Sequence, residues 1–243
     1  MTPPEPPSAP RTARQRAREQ ITAEILGAAR TQLTRVGPSE LSLREVARDV
    51  GMVSSAVYRY VSSRDELLTA LLVLGYDELG AAVEQADRQV TDRSDHLGRW
   101  RAACRAVRTW ALAHPGDYAL LYGSPVPGYA APQDTIGPAT RTTVVLVTIV
   151  VDAHAADRAP RASDDSSSTD LARTLGAAVE FVRSHGIGDD VPPELVLRTL
   201  MGWTSVFGTI SFELFGHLVG SVSDTAAYYD EVITRLAADL GIS

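Results

Sequence analysis

The chain reads as an all-α protein, with an N-terminal three-helix helix-turn-helix unit and a larger helical bundle behind it. Three observations predict this. Apolar residues recur three and four positions apart over almost the whole length beyond residue 20. The interruptions between those stretches are rich in glycine, proline and serine. Near the N-terminus, Leu43–Tyr60 reads as two short helices about a glycine. With 243 residues, 44% hydrophobic and 22% charged, there is material for a small domain and a medium one.

The elements follow in order. Residues 1–10 hold five prolines and are expected to form a disordered tail. A helix then carries Ile21, Ile25, Ala28, Ala29 and Leu33, and stops at Gly37-Pro38. Ser42 reads as an N-cap, with Glu45 three residues on completing a capping box. The helix it opens, Leu43–Val50, runs into Gly51, and a second short helix starts at Ser54 and ends near Tyr60. Ser62 or Ser63 caps a longer helix with Asp65 and Glu66 in its first turn, where the macrodipole favours acids. Beyond it, amphipathic stretches cover Leu67–Arg88, Leu97–His114, Thr140–His154, Asp170–His185, Pro193–Val219 and Thr225–Leu240. The breaks fall at 123–138, 157–169 and 186–193, the middle one reading as a surface loop. Val144–Val151 is β-branched but stands alone among helices, so tertiary context should keep it helical. The predicted domains are a tail at 1–10, a helix-turn-helix head at 11–63 and a body at 64–243.

Several function classes drop out. One cysteine excludes a disulfide framework and any Cys-rich zinc site. The five histidines lack close metal-ligand spacing, and neither a Gly-x-Ser-x-Gly elbow nor a phosphate-binding glycine loop occurs. No metal, no cofactor and no enzymatic activity are therefore expected. The longest apolar run, Val144–Val151, falls short of the ~18–20 residues that span a bilayer. The proline- and arginine-rich N-terminus has no apolar signal region. These features predict a cytoplasmic protein with no membrane partner. All 23 basic residues are arginine, and there is no asparagine, which reflects genomic base composition.

The informative segment is LREVARDVGMVSSAVYRY, residues 43–60. Val46, Val50, Met52 and Val57 let two short helices bury against each other and against the first helix. Ala47 permits a close crossing, and Gly51 suits the turn because it adopts positive φ without a Cβ. The second helix then presents Ser54, Ser55, Tyr58 and Arg59, groups able to touch base edges or phosphates in a major groove.

GMVSSAVYRYVSSRDELL resembles the signature of the tetracycline-repressor (TetR) family of bacterial regulators. Tyr58, Tyr60, Ser63, Arg64, Glu66 and Leu67 fill the family's positions, with Tyr60 in place of the usual Phe and Arg64 in place of the usual Lys. The likeness covers residues 14–70. Further on, AHPGDYALLYGSP and GWTSVFGTISFEL resemble the C-terminal domain type named for a Trp-His-Gly motif. Trp203 and Gly208 match, and Phe207 stands where that motif has His. The resemblance implies a dimer of all-helical subunits, each with a three-helix head joined by a fourth helix to an effector-binding and dimerisation domain.

The net charge of −7 seems to argue against nucleic acid, but it averages two unlike pieces. Residues 1–64 carry ten arginines against six acids, a net of +4; residues 65–243 carry thirteen against twenty-four, a net of −11. A basic head on an acidic body suits a reader that holds only its head against phosphate.

The expected DNA contacts are Ser42, Arg44, Ser54, Ser55, Tyr58, Arg59, Tyr60 and Arg64. For Ser42 capping is the simpler role, and for Tyr60 packing. Arg11, Arg14, Arg16 and Arg18 read either as an arm on phosphate or as a solvated basic tail. Thirteen of fifteen aromatic residues lie in the body. Trp100, Trp110, Tyr118, Tyr122, Phe181, Trp203 and Phe207, with Cys104, are the candidate lining of a ligand pocket; ordinary core is the alternative for each. On residues 193–219, Val196, Leu200, Trp203, Phe207, Ile210 and Leu214 make one apolar stripe. Leu197, Met201, Thr204, Gly208, Ser211 and Phe215 make another. Leu200, Ile210 and Leu214, with Tyr229, Val232, Ile233 and Leu236 of the last helix, are the expected dimer interface, a four-helix bundle.

The function expected is a transcriptional repressor released from double-stranded operator DNA by a small, mostly apolar effector. The alternatives are a regulator without an effector, an activator, or a ligand-binding or enzymatic helical protein with a vestigial head.

Overall fold

The computed structural model describes residues 12–156, 165–188 and 190–242. The expected tail, and most of the loop expected at 157–169, lie outside the described residues. Among those described there is helix and no strand.

Four helices build the head: α1 (Ala13–Val36), α2 (Leu43–Asp49), α3 (Ser54–Val57) and the start of α4 (Arg64–Gln89). Thr12 opens α1 with a capping box to Gln15. Ile25, Ala29 and Leu33 of α1 close over Val46, Ala47, Val57 and Leu67, all 1% exposed or less. Leu68 and Leu71 of α4 complete this core, and so does Val126, which comes from the body.

The body continues with α5 (His96–Ala113), α6 (Pro115–Tyr122), α7 (Ile136–Ala156), α8 (Asp165–Thr174), α9 (Gly176–Ser184), α10 (Pro193–Leu214) and α11 (Thr225–Asp239). The long helix α4 packs on both α5 and α7. Trp100, Val107, Tyr118, Ile149, Val206, Ile210, Tyr229 and Ile233 fill a second core.

Several boundaries differ from those expected. Residues 165–169 are helical. The stretch Asp170–His185 is two helices, because Leu175 interrupts it with a φ of −98° and ψ of 14°. The tenth helix ends at Leu214 rather than Val219. There Gly216 adopts φ +79° and His217 N–H donates to the Phe212 carbonyl at 2.9 Å, a glycine-terminated Schellman close. The β-branched run 144–151 is helical inside α7. By length and composition alone α7 and α10 are apolar enough to cross a membrane, which the short run at 144–151 did not foretell. Both are built into the bundle: Arg141 of α7 pairs with Asp77 and Glu84 of α4, and Glu213 of α10 pairs with Arg108 of α5.

The expected dimer surface is corrected at three of its seven positions. Ile210, Tyr229 and Ile233 are 0–1% exposed within one subunit. The Tyr229 hydroxyl donates to the Cys104 carbonyl at 2.8 Å, and the Trp100 indole to the Ile233 carbonyl at 2.8 Å, so this face of α10 and α11 turns inward onto α5. A group already inside its own subunit cannot touch a partner. Leu214 and Leu236 are half-buried against the same core. Val232 is half-buried and Leu200 is exposed. Of the other stripe Met201, Thr204 and Phe215 are exposed, and so are Phe212 of α10, outside both stripes, and Tyr228 of α11.

Candidate nucleic-acid interface and effector domain

The turn between α2 and α3 is set by Gly51 at φ +67°. Gly51 N–H donates to the Arg48 carbonyl at 3.1 Å and Met52 N–H to the Ala47 carbonyl at 2.8 Å, the paired bonds of a Schellman close. A Cβ would meet nothing within 4 Å there, so it is the backbone conformation, not space, that calls for glycine.

Ser42 opens α2 without a side-chain bond, so the expected capping box is absent. Its backbone N–H donates instead to Gln32 Oε1 at 3.0 Å, while Gln32 Nε2 donates to Glu45 at 2.8 Å. Gln32, 1% exposed, thus does from α1 what Glu45 was expected to do locally. Nothing in the local spacing marks it; only the long-range packing of α1 on α2 does. Glu45 turns to Arg35 and Arg48.

Past the turn, Ser54, Ser55, Tyr58 and Arg59 are all exposed, as is Arg44 on α2. The helix is shorter than expected: α3 ends at Val57. Arg59 N–H reaches the Ala56 carbonyl at 3.2 Å and Tyr60 N–H the Val57 carbonyl at 2.8 Å, the tighter three-residue step. Tyr60 is half-buried, with the Arg18 guanidinium 5.5 Å from its ring centroid. Arg14, Arg16 and Arg18 are exposed but lie within α1, so this part is helix and not a free arm; Arg11 lies outside the described residues.

Arg64 is a correction. Its guanidinium donates to the carbonyls of Leu41, Pro38 and Ser39 at 2.9–3.0 Å. It staples the turn before α2 to the start of α4 and has its fork committed inside the head. Ser63 caps α4 through Glu66 N–H, and Glu66 in turn accepts from the Ser62 hydroxyl and backbone, which hold its carboxyl below the usual range.

The arrangement is a basic three-helix head with an exposed row of hydroxyl, phenol and guanidinium groups after a glycine turn, and this is the geometry of major-groove reading. A sequence family described as bacterial regulatory proteins, tetR family, matches residues 25–71. Another, described as the tetracyclin repressor-like C-terminal domain, matches residues 100–236, more than half of the chain.

The chain belongs to the TetR family.

HTH-type transcriptional regulators of Mycobacterium tuberculosis and Mycobacterium bovis are 45% identical to it over 236 residues, covering 93% of this chain and 95% of theirs. A crystal structure of a protein described as regulatory superposes with a TM-score of 0.70 at 30% identity, over 93% of this chain and all of that one. A TetR-family regulator of Thermus thermophilus, 16% identical with a TM-score of 0.52, covers 86% of this chain and 96% of its own and shares the fold. This TetR-family member is therefore a DNA-binding transcriptional regulator and not an enzyme.

The body of this TetR-family chain divides the expected pocket residues. Trp100 and Cys104 are buried in the α5–α11 core, where desolvation pushes the Cys104 thiol far up. Tyr118 is fully buried and donates to the Phe207 carbonyl at 2.7 Å; burial pushes its phenol up to about 12. Phe181 is half-buried and lies 4.1 Å, ring centroid to ring centroid, from His185 just past the end of its helix. Tyr122, Trp203 and Phe207 do come together. Tyr122 meets Tyr76 of α4 at 6.1 Å, Tyr118 at 5.1 Å and Phe207 at 4.4 Å, and Phe207 meets Trp203 at 5.2 Å. Among the described residues, the indole N–H groups of Trp110 and Trp203 are buried without an acceptor. Trp110 instead lines a groove of about 650 Å³ between α4 and α5, with Ala82, Ala86, Ala102 and Ala106 among its walls. Tyr76 was not anticipated; it stands alone in sequence, and only the packing of α4 on α6 reveals it.

Among the described residues no group of His, Cys, Asp or Glu is placed to hold a metal.

Proposed function

We propose that this protein is a dimeric, cytoplasmic repressor released from its operator by a small, mostly apolar ligand held in the body. One observation supports this reading above others: α6 touches the head and the aromatic cluster at once. Its first turn packs backbone to backbone on α1, where a Cβ on Gly116 would lie 2.6 Å from Thr34 N. Its next residues, Tyr118 and Tyr122, enter the cluster shared by α4, α6 and α10. A ligand that prefers one arrangement of that cluster shifts α6, and the head shifts with it; the size of the effect is the ligand's differential affinity for the two states. The unpaired Trp203 N–H, at the edge of that cluster, would receive an acceptor atom on an otherwise apolar molecule.

Dimerisation would use the outward face of α10 and α11, with Met201, Phe212, Phe215 and Tyr228. Two heads would then sit in successive major grooves, about 34–36 Å apart. Ser54, Ser55, Tyr58 and Arg59 would face the bases, with Arg44 and Ser42 toward phosphate.

The test is operator binding by fluorescence anisotropy, with duplex DNA from upstream of the gene, across a panel of small apolar compounds. All three tryptophans lie in the body, so their emission reports ligand entry independently. A compound that changes the emission and weakens DNA binding supports the reading. Specific DNA binding that no emission-shifting compound alters would leave a regulator without release. Tyr58→Ala and Arg59→Ala should each weaken specific binding by tenfold or more, the scale of one good base contact, with the far-ultraviolet dichroism unchanged.

A further inference from the structure

The recognition face contains a residue that breaks two local rules. Val53 leads into α3 with extended φ −69° and ψ 142°, the position where a hydroxyl or carboxylate side chain normally bonds the helix's free N–H groups. Ser42, His114, Leu175 and Pro192 open their helices without such a bond, whereas Thr12, Ser63, Asp95 and Asp224 each accept a backbone N–H at the start of α1, α4, α5 and α11. Val53 cannot. Its isopropyl group is also 71% exposed, more than any other large apolar residue described in the head. It therefore forgoes a cap and buries little in return. A side chain that serves neither local structure nor core, on a surface that contacts another molecule, is best explained by that contact.

The neighbours define what it meets. Val53 adjoins exposed Ser54 and Ser55, and Tyr58 is 47% exposed on the same short segment. Val53 adds to their polar groups an apolar branched surface. In the major groove one base edge offers an apolar partner, the C5-methyl group of thymine; all the other edge groups are hydrogen-bond donors or acceptors.

We propose that Val53 is a specificity-determining residue that reads a thymine methyl group in each operator half-site. This rests on the reading of α3 as the operator-contacting element. The experiment is to select duplexes from a random-sequence library with the full-length protein. Each thymine of the enriched site is then replaced singly by deoxyuridine, which lacks only the methyl group. Binding is measured for the wild-type protein, Val53→Ala and Val53→Ser. Serine restores a cap, so Val53→Ser folds at least as well as the wild type, and a melting curve checks it.

The wild type should bind about fourfold more weakly when one contacted thymine is replaced in one half-site, the value of one methyl group removed from apolar contact. Val53→Ser and Val53→Ala should bind both duplexes equally. If no thymine replacement weakens the wild type, or if Val53→Ser keeps the full preference, the inference fails. In that case the regulator reading still stands, provided Tyr58→Ala and Arg59→Ala weaken binding to the selected site by tenfold or more. If the library yields no enriched sequence, both fail together.

Discussion

Arg30 and Asp117 join the head to the body. The Arg30 guanidinium, on α1, donates through Nε to both carboxylate oxygens of Asp117 on α6 at 3.0 Å, and through its other two nitrogens to Glu78 of α4 at 2.6 and 2.8 Å. Three helices meet at one planar group, which only a guanidinium can serve in this fashion. The Asp117 side chain is 4% exposed, so removal of Arg30 leaves a carboxylate in a dry place. Arg30→Met should therefore cost about 3 kcal/mol. Urea denaturation checks this. Loss of the clamp should also separate head unfolding from body unfolding, seen as non-coincident transitions by tryptophan emission, which reports the body, and by circular dichroism.

Gly116 stands one residue before Asp117, and its need for a small side chain is steric. A Cβ there would lie 2.6 Å from Thr34 N and 2.8 Å from the Leu33 carbonyl carbon, and both are backbone atoms of α1. No rotamer relieves such a clash, so α1 must move away from α6. Gly116→Ala is expected to destabilise by about 1–3 kcal/mol, in the range of overpacking, and to change operator affinity although no DNA-facing residue is altered. A melting curve together with anisotropy tests both parts. Gly51→Ala differs in kind: it has open space, and its cost, on the order of 1 kcal/mol, comes from φ +67°.

The proposed dimer face makes a selective prediction. Met201→Glu or Phe212→Glu places a charge among exposed apolar residues and should halve the mass measured by light scattering, with helicity retained. Ile210→Glu should instead unfold the body, because Ile210 is wholly enclosed in its own subunit. An undiminished mass in both Met201→Glu and Phe212→Glu would exclude this face.

The contrast between these positions shows what was legible in the sequence. The helical period, the glycine turn and the basic head were plain because each is local: Gly51 and the row Ser54, Ser55, Tyr58 and Arg59 lie within nine residues. Both stripes of α10 carry large apolar residues, and spacing alone could not say which turns inward. That is decided by Tyr229 and Trp100, whose polar atoms find carbonyls 125 and 133 residues away in sequence. The same holds for Gln32, Tyr76 and the Arg30 clamp, each defined by a partner on a distant helix. Arg64 had the right charge for phosphate, yet three nearby carbonyls satisfy it first.

Acid should weaken the body through its arginine-held carboxylates. Hydrogen bonds from Arg141, Arg108 and Arg105 hold Glu84, Glu213 and Asp230, respectively, below the ordinary carboxylate range. A depressed native pKa means the unfolded chain binds protons first as pH falls. The stability these pairs supply is complete above the unfolded carboxylate values and is lost as pH drops through the lower native ones. Protonation also relieves the net repulsion of the −11 body, which acts in the opposite direction. The pairs should win, because their contacts are 2.7–2.8 Å long, while the diffuse repulsion is screened over about 8 Å at physiological ionic strength. The pairs range from mostly buried at Arg108–Glu213 to half-exposed at Arg105–Asp230, and each contributes roughly 0.5–1 kcal/mol. Urea midpoints should be level from pH 7 to 5 and fall below about pH 4.5. Arg141→Met, which frees Glu84, should flatten that fall; an equally steep decline in the variant would assign the acid sensitivity to other groups.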